Sequence, residues 1–515
     1  MRVNEDIGVI GRLWLRVESL VNRNSGVPAP SGAGRELNPF YCLGAIGVFF
    51  LWVILFSGLY LFIFYRISAT EAYASVERIT HVQWYLGGVM RSLHRYASDG
   101  LVAVTVIHGL RHLALKRHAN WRWVAWVSGV LTSVMVIAGG VFGYLMVWDE
   151  KAKLIAVYSS KLLEEAPFFG IPVGLTFALS ENLTDQFFYI VLFIHFSSII
   201  VIFMAVWIHL SRITKAMITP PKEVIYGLAF LLLLAAFVRP AVSDKAAELG
   251  HLVGNVSIDW FYMFLYPLMG HISPAWTIAV VVGAVFFVSV IPWVYRPRQN
   301  PTPSVAPDNC TGCELCREDC PYAAIKMVER KDASGYSLLA SVMPERCASC
   351  GICAGACDYS AINLPGFAEE ALKAEIKAFS SELVVNDTGI LVFLCKKSAD
   401  IKDKINGDGS IKGYASTRVI ELPCIGMLQP AMIDMAIDSG VPGVLAVGCR
   451  QGDCSFRTGN SWLNQRILMT RPPVVRRGIK RARIRTLWLS ATETKGFFDG
   501  IERFRQDLSA GVKDD

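Results

Sequence analysis

Residues 87–112, GGVMRSLHRYASDGLVAVTVIHGLRH, contain two histidines in a run of mostly apolar and small residues. His94 and His108 are fourteen residues apart, which is close to four turns of an α-helix. Both imidazoles therefore face the same way, roughly 21 Å apart along the helix axis.

A second stretch, FFYIVLFIHFSSIIVIFMAVWIHLSR at 187–212, has the same arrangement, with His195 and His209 again fourteen residues apart. A histidine inside an apolar span is costly and usually functional, although a single one is as readily a satisfied core residue. Two helices with matched histidine pairs can instead hold two stacked haems, each ligated by two imidazoles. We therefore predict a dihaem helix bundle.

These pairs resemble those of the cytochrome b family of quinol oxidoreductases, which ligates two b haems through its second and fourth transmembrane helices. The resemblance implies that His94 and His195 hold an outer haem and that His108 and His209 hold an inner one. The family also has glycines where the haem faces press against the first and third helices, because only glycine lets backbone approach so closely. The matching glycines here are Gly44, Gly58, Gly129 and Gly143. Arg91 matches the family arginine that pairs with a haem propionate.

The composition favours a membrane protein with attached soluble domains. Of the 515 residues 53% are hydrophobic, and the net charge of +7 includes no basic stripe of the kind that binds nucleic acid. Thirteen cysteines, mostly in C-x-x-C spacing, indicate metal clusters in a reducing compartment rather than disulfides. Residues 1–37 show no signal peptide, and we expect them on the cytoplasmic surface, with an amphipathic helix at 7–21.

Six apolar segments predict transmembrane helices, at 40–65, 85–110, 123–147, 184–210, 223–238 and 275–295. Lys and Arg are concentrated in the segments that follow every second span and in the amino-terminal segment, so these should face the cytoplasm of a prokaryote. Both termini are then cytoplasmic. The predicted fold class is an all-α membrane part, with a four-helix dihaem domain at 38–221 and two further helices at 222–297, followed by a cytoplasmic α+β domain and a carboxyl-terminal α/β domain.

The motif NPFYCLG at 38–44 resembles the start of the cytochrome b of chloroplast and cyanobacterial quinol–plastocyanin complexes. In that subfamily the cysteine holds an extra haem, so Cys42 is a candidate ligand of a covalent haem c. The alternative is a small buried hydrophobe. Two departures weaken the transfer: the subfamily spaces its fourth-helix histidines by fifteen, and Val147 stands where it has proline.

Residues 220–297 resemble the next part of cytochrome b, where a Pro-Glu-Trp-Tyr motif marks the outer quinol site. This chain has Ile258, Asp259, Trp260 and Phe261 at those positions. The carboxylate is retained as aspartate, so Asp259, Trp260 and Phe261 form a candidate quinone site with a general base. The alternative is an ordinary interfacial aspartate beside a belt tryptophan.

A proline-rich linker at 298–309 leads to a domain at 310–366 with two C-x2-C-x2-C-x3-C runs. This spacing is typical of ferredoxins with two [4Fe–4S] clusters, in which the fourth cysteine of each run ligates the other cluster. The first predicted cluster has the ligands Cys310, Cys313, Cys316 and Cys357. The second has Cys347, Cys350, Cys353 and Cys320. A zinc site is the alternative for these cysteines.

Residues 385–510 contain four β-rich runs that alternate with helical patterns, which predicts a parallel α/β sheet. Three of the runs end in cysteine, and the ends of parallel strands meet at one edge of a sheet. The domain resembles the iron–sulfur delta subunit of methyl-viologen-reducing hydrogenase, which implies a [2Fe–2S] cluster. Its candidate ligands are Cys395, Cys424, Cys449 and Cys454. The alternative is four buried cysteines, and a dense cysteine group of the family is missing after Cys395.

Together these features predict an oxidoreductase subunit that links quinone or quinol, through b haems and iron–sulfur clusters, to a soluble partner. The resemblance implies a cytoplasmic flavoprotein like the flavin subunit of heterodisulfide reductase, docked on the carboxyl-terminal domain, where the basic segment 471–485 could steer it. Other subunits of a redox complex are expected, and a homodimer is a further option. The alternative function is a membrane anchor and electron wire without its own quinone site.

Overall fold

The computed structural model describes residues 8–24, 38–118, 122–165, 183–211, 213–248, 256–294, 301–330, 332 and 335–510. Residues 1–7 and 25–37 of the expected surface segment, and 298–300 of the expected linker, lie outside this part of the chain.

Six long helices occupy the six segments predicted to cross the membrane. They are α2 (Leu43–Phe64), α4 (Val89–Ala114), α5 (Trp123–Val147), α7 (Asp185–Leu210), α8 (Lys222–Val238) and α9 (Pro274–Val294). Among the described residues, α2, α5, α7 and α9 are long and apolar enough to cross a membrane. Helix α8 has 17 residues, and α4 carries several charged side chains beside its histidines. That α4 and α8 also cross the membrane stays a prediction.

The bundle is built from two tightly packed helix pairs, α2 with α4 and α5 with α7. Helix α8 lies against α4, and α9 lies against α5. A shared core forms between them because apolar side chains such as Phe50, Leu101, Ile202 and Leu232 point inward from successive helices. Two shorter helices lie outside the bundle. Along the chain, α3 (Ala72–Glu77) lies between α2 and α4, and α6 (Glu150–Glu164) lies between α5 and α7. Asp149 caps α6 by accepting a hydrogen bond from the Ala152 amide at 2.9 Å.

The amino-terminal helix α1 (Val9–Asn24) confirms the expected helix in this segment. Its apolar side chains Val9, Ile10, Leu13 and Leu20 are exposed rather than packed against the rest of the chain. Its Glu18 is buried and ion-paired at 2.7 Å with Arg111 near the end of α4. The exposed apolar side chains are those that an interfacial helix would place in lipid.

The ferredoxin-like part follows α9. It contains β1 (Ser304–Val305), α10 (Leu315–Asp319), β2 (Ile325–Glu329), β3 (Leu338–Val342), α11 (Ile352–Gly355), β4 (Ile362–Asn363) and α12 (Glu369–Leu383). Strands β2 and β3 form an antiparallel hairpin, and β1 pairs antiparallel with β4. The pairing of β1 differs from expectation, because Ser304–Val305 falls in the segment assigned to the linker. A strand of two residues has no sequence period that could reveal it.

The carboxyl-terminal part is an α/β sheet of five strands. Its elements are β5 (Ile390–Cys395), β6 (Ser410–Ile411), β7 (Tyr414–Leu422), α13 (Pro430–Asp438), β8 (Gly443–Gly448), α14 (Gly459–Ile467), β9 (Ile484–Trp488) and α15 (Thr494–Ser509). The strand order is β6-β7-β5-β8-β9. Strands β7, β5, β8 and β9 are parallel, as predicted, while β6 adds a short antiparallel edge.

Both faces of this sheet are covered, which explains why its central strands read as continuous apolar runs. Ile390, Val392 and Leu394 of β5 face the core that contains Phe497, Ile501 and Phe504 of α15. The alternate residues Leu391 and Phe393 face a second core, which includes α12, α13 and the cysteines of the ferredoxin-like part other than Cys313. The ferredoxin-like and carboxyl-terminal parts therefore share one hydrophobic core.

Candidate functional site

The structure brings the four predicted haem histidines together as two pairs between α4 and α7. The ring centroids of His94 and His195 are 6.2 Å apart, and those of His108 and His209 are 6.4 Å apart. Two imidazoles on opposite sides of one metal, at metal–nitrogen distances of about 2 Å, would have centroids roughly 6 Å apart. The residues present therefore fit two bis-imidazole haem sites.

Hydrogen bonds at Nδ1 orient three of these imidazoles. The Nδ1 atom of His94 lies 3.1 Å from the Ile54 carbonyl oxygen, and that of His195 lies 2.9 Å from the Gly139 carbonyl oxygen. The hydroxyl of Ser128 lies 3.2 Å from Nδ1 of His209. A carbonyl oxygen can only accept, so Nδ1 carries the proton in His94 and His195 and leaves the Nε2 lone pair for a metal.

The four predicted glycines each lie against one of these imidazoles. A Cβ atom would approach the ring carbon Cε1 to between 2.9 and 3.4 Å at every one of them, in the pairs Gly58–His94, Gly143–His195, Gly129–His209 and Gly44–His108. The glycines thus have the same fourteen-residue spacing as the histidines because each glycine contacts one imidazole ring. The contact of these glycines with a haem face stays a prediction.

The outer histidine pair opens into a cavity of about 530 Å³ between the helices. Arg91 lines this cavity, as expected of a residue that could meet a haem propionate. Its guanidinium also donates to Thr80 and to Ser243 at 2.7 Å, and lies 3.6 Å from Glu77. Protein groups alone therefore hold the Arg91 side chain in place.

A polar cluster at the same cavity was not anticipated from the sequence. Arg95 and Tyr144 line the cavity, and both bond the carboxylate of Asp259. Arg95 also pairs with Asp99 on the same helix. The sequence contains an indication of this cluster, because Arg95 and Asp99 are charged residues four positions apart in a largely apolar helix. Such charges are energetically costly and usually functional.

This cluster changes the meaning of the candidate quinone site. Asp259 is mostly buried and ion-paired, so its carboxylate is not a free base in this structure. Trp260 is 71% exposed, which suits the lipid-facing belt, and Phe261 is also exposed. The three residues do not converge on one pocket, although Asp259 reaches the cavity through Arg95 and Tyr144.

Cys42 lies just before α2 and is buried. Its thiol is 3.6 Å from the Pro39 carbonyl oxygen. The adjacent Tyr41 ring stacks under the Arg111 guanidinium and lies close to Gly452 of the carboxyl-terminal part. Protein groups from three parts of the chain therefore occupy the neighbourhood of the candidate thioether.

The ferredoxin cysteines lie in the crossed arrangement that the spacing predicts. The first set, Cys310, Cys313, Cys316 and Cys357, lines one small cavity. In the second set, Cys320 interacts electrostatically with Cys347, Cys350 and Cys353. Burial raises the pKa of Cys316 to about 12 and also raises that of Cys350. Such thiols become thiolates only on binding metal, which releases their protons.

The four cysteines of the carboxyl-terminal part form a closed tetrad at the carboxyl edge of the sheet. Cys395 ends β5, Cys424 follows β7 and Cys449 follows β8, while Cys454 comes from the next loop. The sulfurs of Cys395 and Cys449 are 3.9 Å apart. Cys424 contacts both Cys395 and Cys454, and Cys449 does the same. The tetrad thus has the donor set of a [2Fe–2S] site.

An ion-pair network joins the tetrad to the inner histidine pair. Asp453, next to Cys454, accepts from Arg111 at 2.6 Å and from Arg117 at 2.9 Å. Arg122 donates to the Ser455 carbonyl oxygen at 2.5 Å. Arg111 lies one helical turn beyond His108, so the loop that carries Cys454 rests on the end of the helix bundle beside the inner pair.

Comparisons with known proteins agree with this three-part organisation. Residues 30–217 match the family model described as cytochrome b/b6/petB. Residues 291–361 match the 4Fe-4S dicluster domain. Residues 390–510 match the delta subunit of methyl-viologen-reducing hydrogenase.

Two curated relatives and one solved structure are similar to parts of the chain. One subunit of the ferredoxin:CoB-CoM heterodisulfide reductase of Methanosarcina mazei is 35% identical over 204 residues, which is 40% of this chain and 25% of that protein. Cytochrome b6 of Mastigocladus laminosus is 30% identical over 139 residues, which is 27% of this chain and 64% of that protein. A hyperthermophilic respiratory Complex III structure aligns with 55% of this chain and 82% of its own, at 15% identity and a TM-score of 0.40.

The chain thus spans only a quarter and just under two thirds of the two curated relatives. The matched segments confirm the predicted combination of parts and imply b-type haem and iron–sulfur clusters. The chain thus joins segments that are similar to cytochrome b/b6, to the 4Fe-4S dicluster domain and to the delta subunit of methyl-viologen-reducing hydrogenase, and four of its described helices are long and apolar enough to cross a membrane.

Proposed function

We propose that this chain passes electrons between quinone or quinol in the cytoplasmic membrane of a prokaryote and a cytoplasmic flavoprotein. When bound, two b haems, two [4Fe–4S] clusters and one [2Fe–2S] cluster would supply one-electron chemistry. Oxidation of one quinol releases two electrons and two protons, and the flavoprotein takes up the two electrons. In the reverse direction the flavoprotein supplies two electrons, which with two protons reduce one quinone to quinol.

The observation that carries this proposal is the contact between the inner histidine pair and the loop of Cys454. Arg111 joins them, since it lies on the helix of His108 and bonds Asp453 beside the tetrad. Asp453 is 7% exposed and Arg111 is 5% exposed. A buried contact of this kind fixes the distance between two redox sites, which a loosely tethered domain would not do.

The inner histidine pair would hold the haem nearer the cytoplasm, and the outer pair the haem nearer the opposite face. His94 and His195 keep Nε2 available because their Nδ1 atoms donate to carbonyl oxygens. The Cys42 thiol is proposed as the attachment point of a third, covalent haem beside the inner pair. Both termini are proposed to be cytoplasmic, in keeping with the positive loops.

A second function, an anchor and wire without its own quinone site, is favoured by one observation. The Asp259 carboxylate, which would accept the quinol proton, is already neutralised by Arg95 and bonded by Tyr144. At the outer face, quinol could then react with Asp259 only where Arg95 releases its carboxylate.

Redox-titrated visible and EPR spectra of the full chain in lipid nanodiscs, with and without a quinone analogue, distinguish the two functions. The proposal predicts two b-haem transitions and three cluster signals, at least one of which shifts with the analogue. An Asp259→Asn variant should abolish a shift of the outer haem. Intact signals that ignore the analogue would support the wire.

A further inference from the structure

The three cysteine sites beyond the helix bundle differ in access to solvent. The tetrad is closed, since Cys395 and Cys424 are each 1% exposed, Cys449 is 4% exposed and Cys454 is 7% exposed. Cys313 of the first ferredoxin site, in contrast, is exposed. Electron transfer to a soluble protein requires close approach, so access matters more here than the order of the sites along the chain.

The second ferredoxin site is largely covered by the carboxyl-terminal part and by the bundle: Cys320, Cys350 and Cys353 are buried, and Cys347 is partly exposed. Helix α11, which contains Cys353, packs against the turn Ile425–Met427 that directly follows Cys424. A Cβ at Gly355 would lie 2.1 Å from the Gly426 carbonyl oxygen, so these backbones are in direct contact. From the bundle side, Thr214 donates to the Cys320 carbonyl oxygen at 3.2 Å.

The basic segment 471–485, expected to steer a partner, is largely engaged within the chain. Arg471 and Arg466 bond Asp319, which lies next to Cys320. Arg476 pairs with Asp438, and Arg485 pairs with Asp507 at 2.5 Å. Arg483 donates to the Pro442 carbonyl oxygen at 3.0 Å. These arginines hold the carboxyl-terminal part together and to the second ferredoxin site.

The charged residues that neighbour the first ferredoxin cysteines along the chain are mostly acidic. Charged residues within two positions of these four cysteines are four carboxylates and one arginine, namely Asp308, Glu314, Glu318, Asp358 and Arg317. Arg317 is paired with Glu314, so it neutralises one of the four. Arg330, which donates to the Cys310 carbonyl oxygen, is paired with Asp332. Asp308, Glu318 and Asp358 are exposed, as is the Tyr359 ring, which lines the same small cavity as the cysteines. We call this surface, formed by Asp308, Cys313, Glu318, Asp358 and Tyr359, the acidic face.

We propose that the soluble redox partner docks on the acidic face and presents a rim of Lys and Arg around its own cofactor. This inference rests on the proposed function and changes the expected docking site from the carboxyl-terminal domain to the first ferredoxin site. The tetrad and the second ferredoxin site are then internal relays, and the first site is the exit. Each electron that leaves through the first site reduces the partner by one electron. Two such transfers account for the two electrons released by one quinol.

Docking is tested with the full chain in lipid nanodiscs, with a lysine-rimmed mitochondrial cytochrome c as a basic probe and an acidic flavodoxin as the opposite probe. Zero-length carbodiimide cross-linking joins carboxylates to lysines, and mass spectrometry locates the bonds. We expect cross-links from cytochrome c to Glu318 and Asp358, and none concentrated elsewhere. Binding should weaken with salt, because the complementary charges are exposed.

The variant Glu318→Lys/Asp358→Lys should weaken the Kd for cytochrome c about tenfold or more at low ionic strength. The matched control Asp387→Lys/Asp403→Lys makes the same charge change at exposed positions of the carboxyl-terminal part and should shift the Kd less than about twofold. EPR signals of both variants should equal those of the wild type, which excludes misfolding as the cause of weaker binding.

Equal effects of the two double variants would overturn the proposal, as would cross-links centred on the carboxyl-terminal part. Tighter binding of flavodoxin that is lost in Arg477→Glu/Arg481→Glu would overturn it in favour of the basic segment. None of these binding readouts involves quinone. Failure of quinol oxidation alone would therefore contradict the proposed function, whereas failure of docking alone would contradict only this inference.

Discussion

Removing the charge of Asp453 should loosen the carboxyl-terminal part from the helix bundle. Asp453 is buried and accepts from Arg111 and Arg117 at 2.6 and 2.9 Å. Breaking a buried ion pair on one side costs about 3–5 kcal/mol, because an uncompensated charge stays behind. In Asp453→Asn, Arg111 keeps its pair with Glu18, so we expect the lower end, about 3 kcal/mol.

Hydrogen–deuterium exchange of the full chain in nanodiscs measures this loss. A cost of about 3 kcal/mol corresponds to opening that is about 10²-fold more frequent, so amides at 450–458 should exchange faster by about that factor. The control Asp438→Asn removes a half-exposed pair with Arg476 and should cost less than about 1 kcal/mol. A change below about threefold at 450–458 in Asp453→Asn would refute the role assigned to this network.

The same network has a defined pH dependence. Burial alone would raise the pKa of Asp453, but Arg117 and Arg111 together hold it below its usual value. A carboxyl with a lowered pKa stabilises the docked form above its unfolded pKa of about 3.9. Opening at 450–458 should therefore be independent of pH from neutrality to about pH 4, and should increase only below it.

Three further predictions concern single sites. Denaturing gels stained for haem should show covalent haem on the chain, and Cys42→Ala should abolish it, since only a thioether survives denaturation; an unstained wild-type band contradicts this. Gly58→Ala should prevent binding of the outer haem, because its Cβ would lie 2.9 Å from the His94 ring. The control Gly109→Ala, whose Cβ would lie in open space, should leave both haem spectra unchanged. Gly459→Ala would place a Cβ 2.3 Å from a tetrad sulfur, so it should remove the [2Fe–2S] EPR signal and spare the [4Fe–4S] signals.

The parts that the sequence could predict depend on short-range spacing. His94 and His108 share a face because fourteen residues are nearly a whole number of turns. The ferredoxin sets follow from cysteines only two or three positions apart. The tetrad could be predicted because Cys395 and Cys449 end neighbouring parallel strands, whose carboxyl ends meet at one edge.

What the sequence could not predict depends on pairs that are distant along the chain. Arg111 meets Asp453 across 342 positions, and Arg95 meets Asp259 across 164. No periodicity or motif links such residues, since each forms a pair only because whole domains pack together. The expected docking site on the carboxyl-terminal domain depended on the arginines at 471–485, which look like a free basic surface in the sequence. Their ion-pair partners are distant along the chain, so only the structure shows that most of these arginines are engaged.

The central claim is that electrons pass from quinol through the inner histidine pair to the cytoplasmic cysteine sites. The most direct measurement is a rapid-mixing experiment in which excess quinol is added anaerobically to the oxidised chain in nanodiscs, with haem absorbance and freeze-quenched EPR followed in time. The wild type should show haem reduction followed by cluster signals, whereas His108→Ala should retain one b haem and develop no cluster signal. Cluster reduction by quinol at the wild-type rate in His108→Ala would contradict the account.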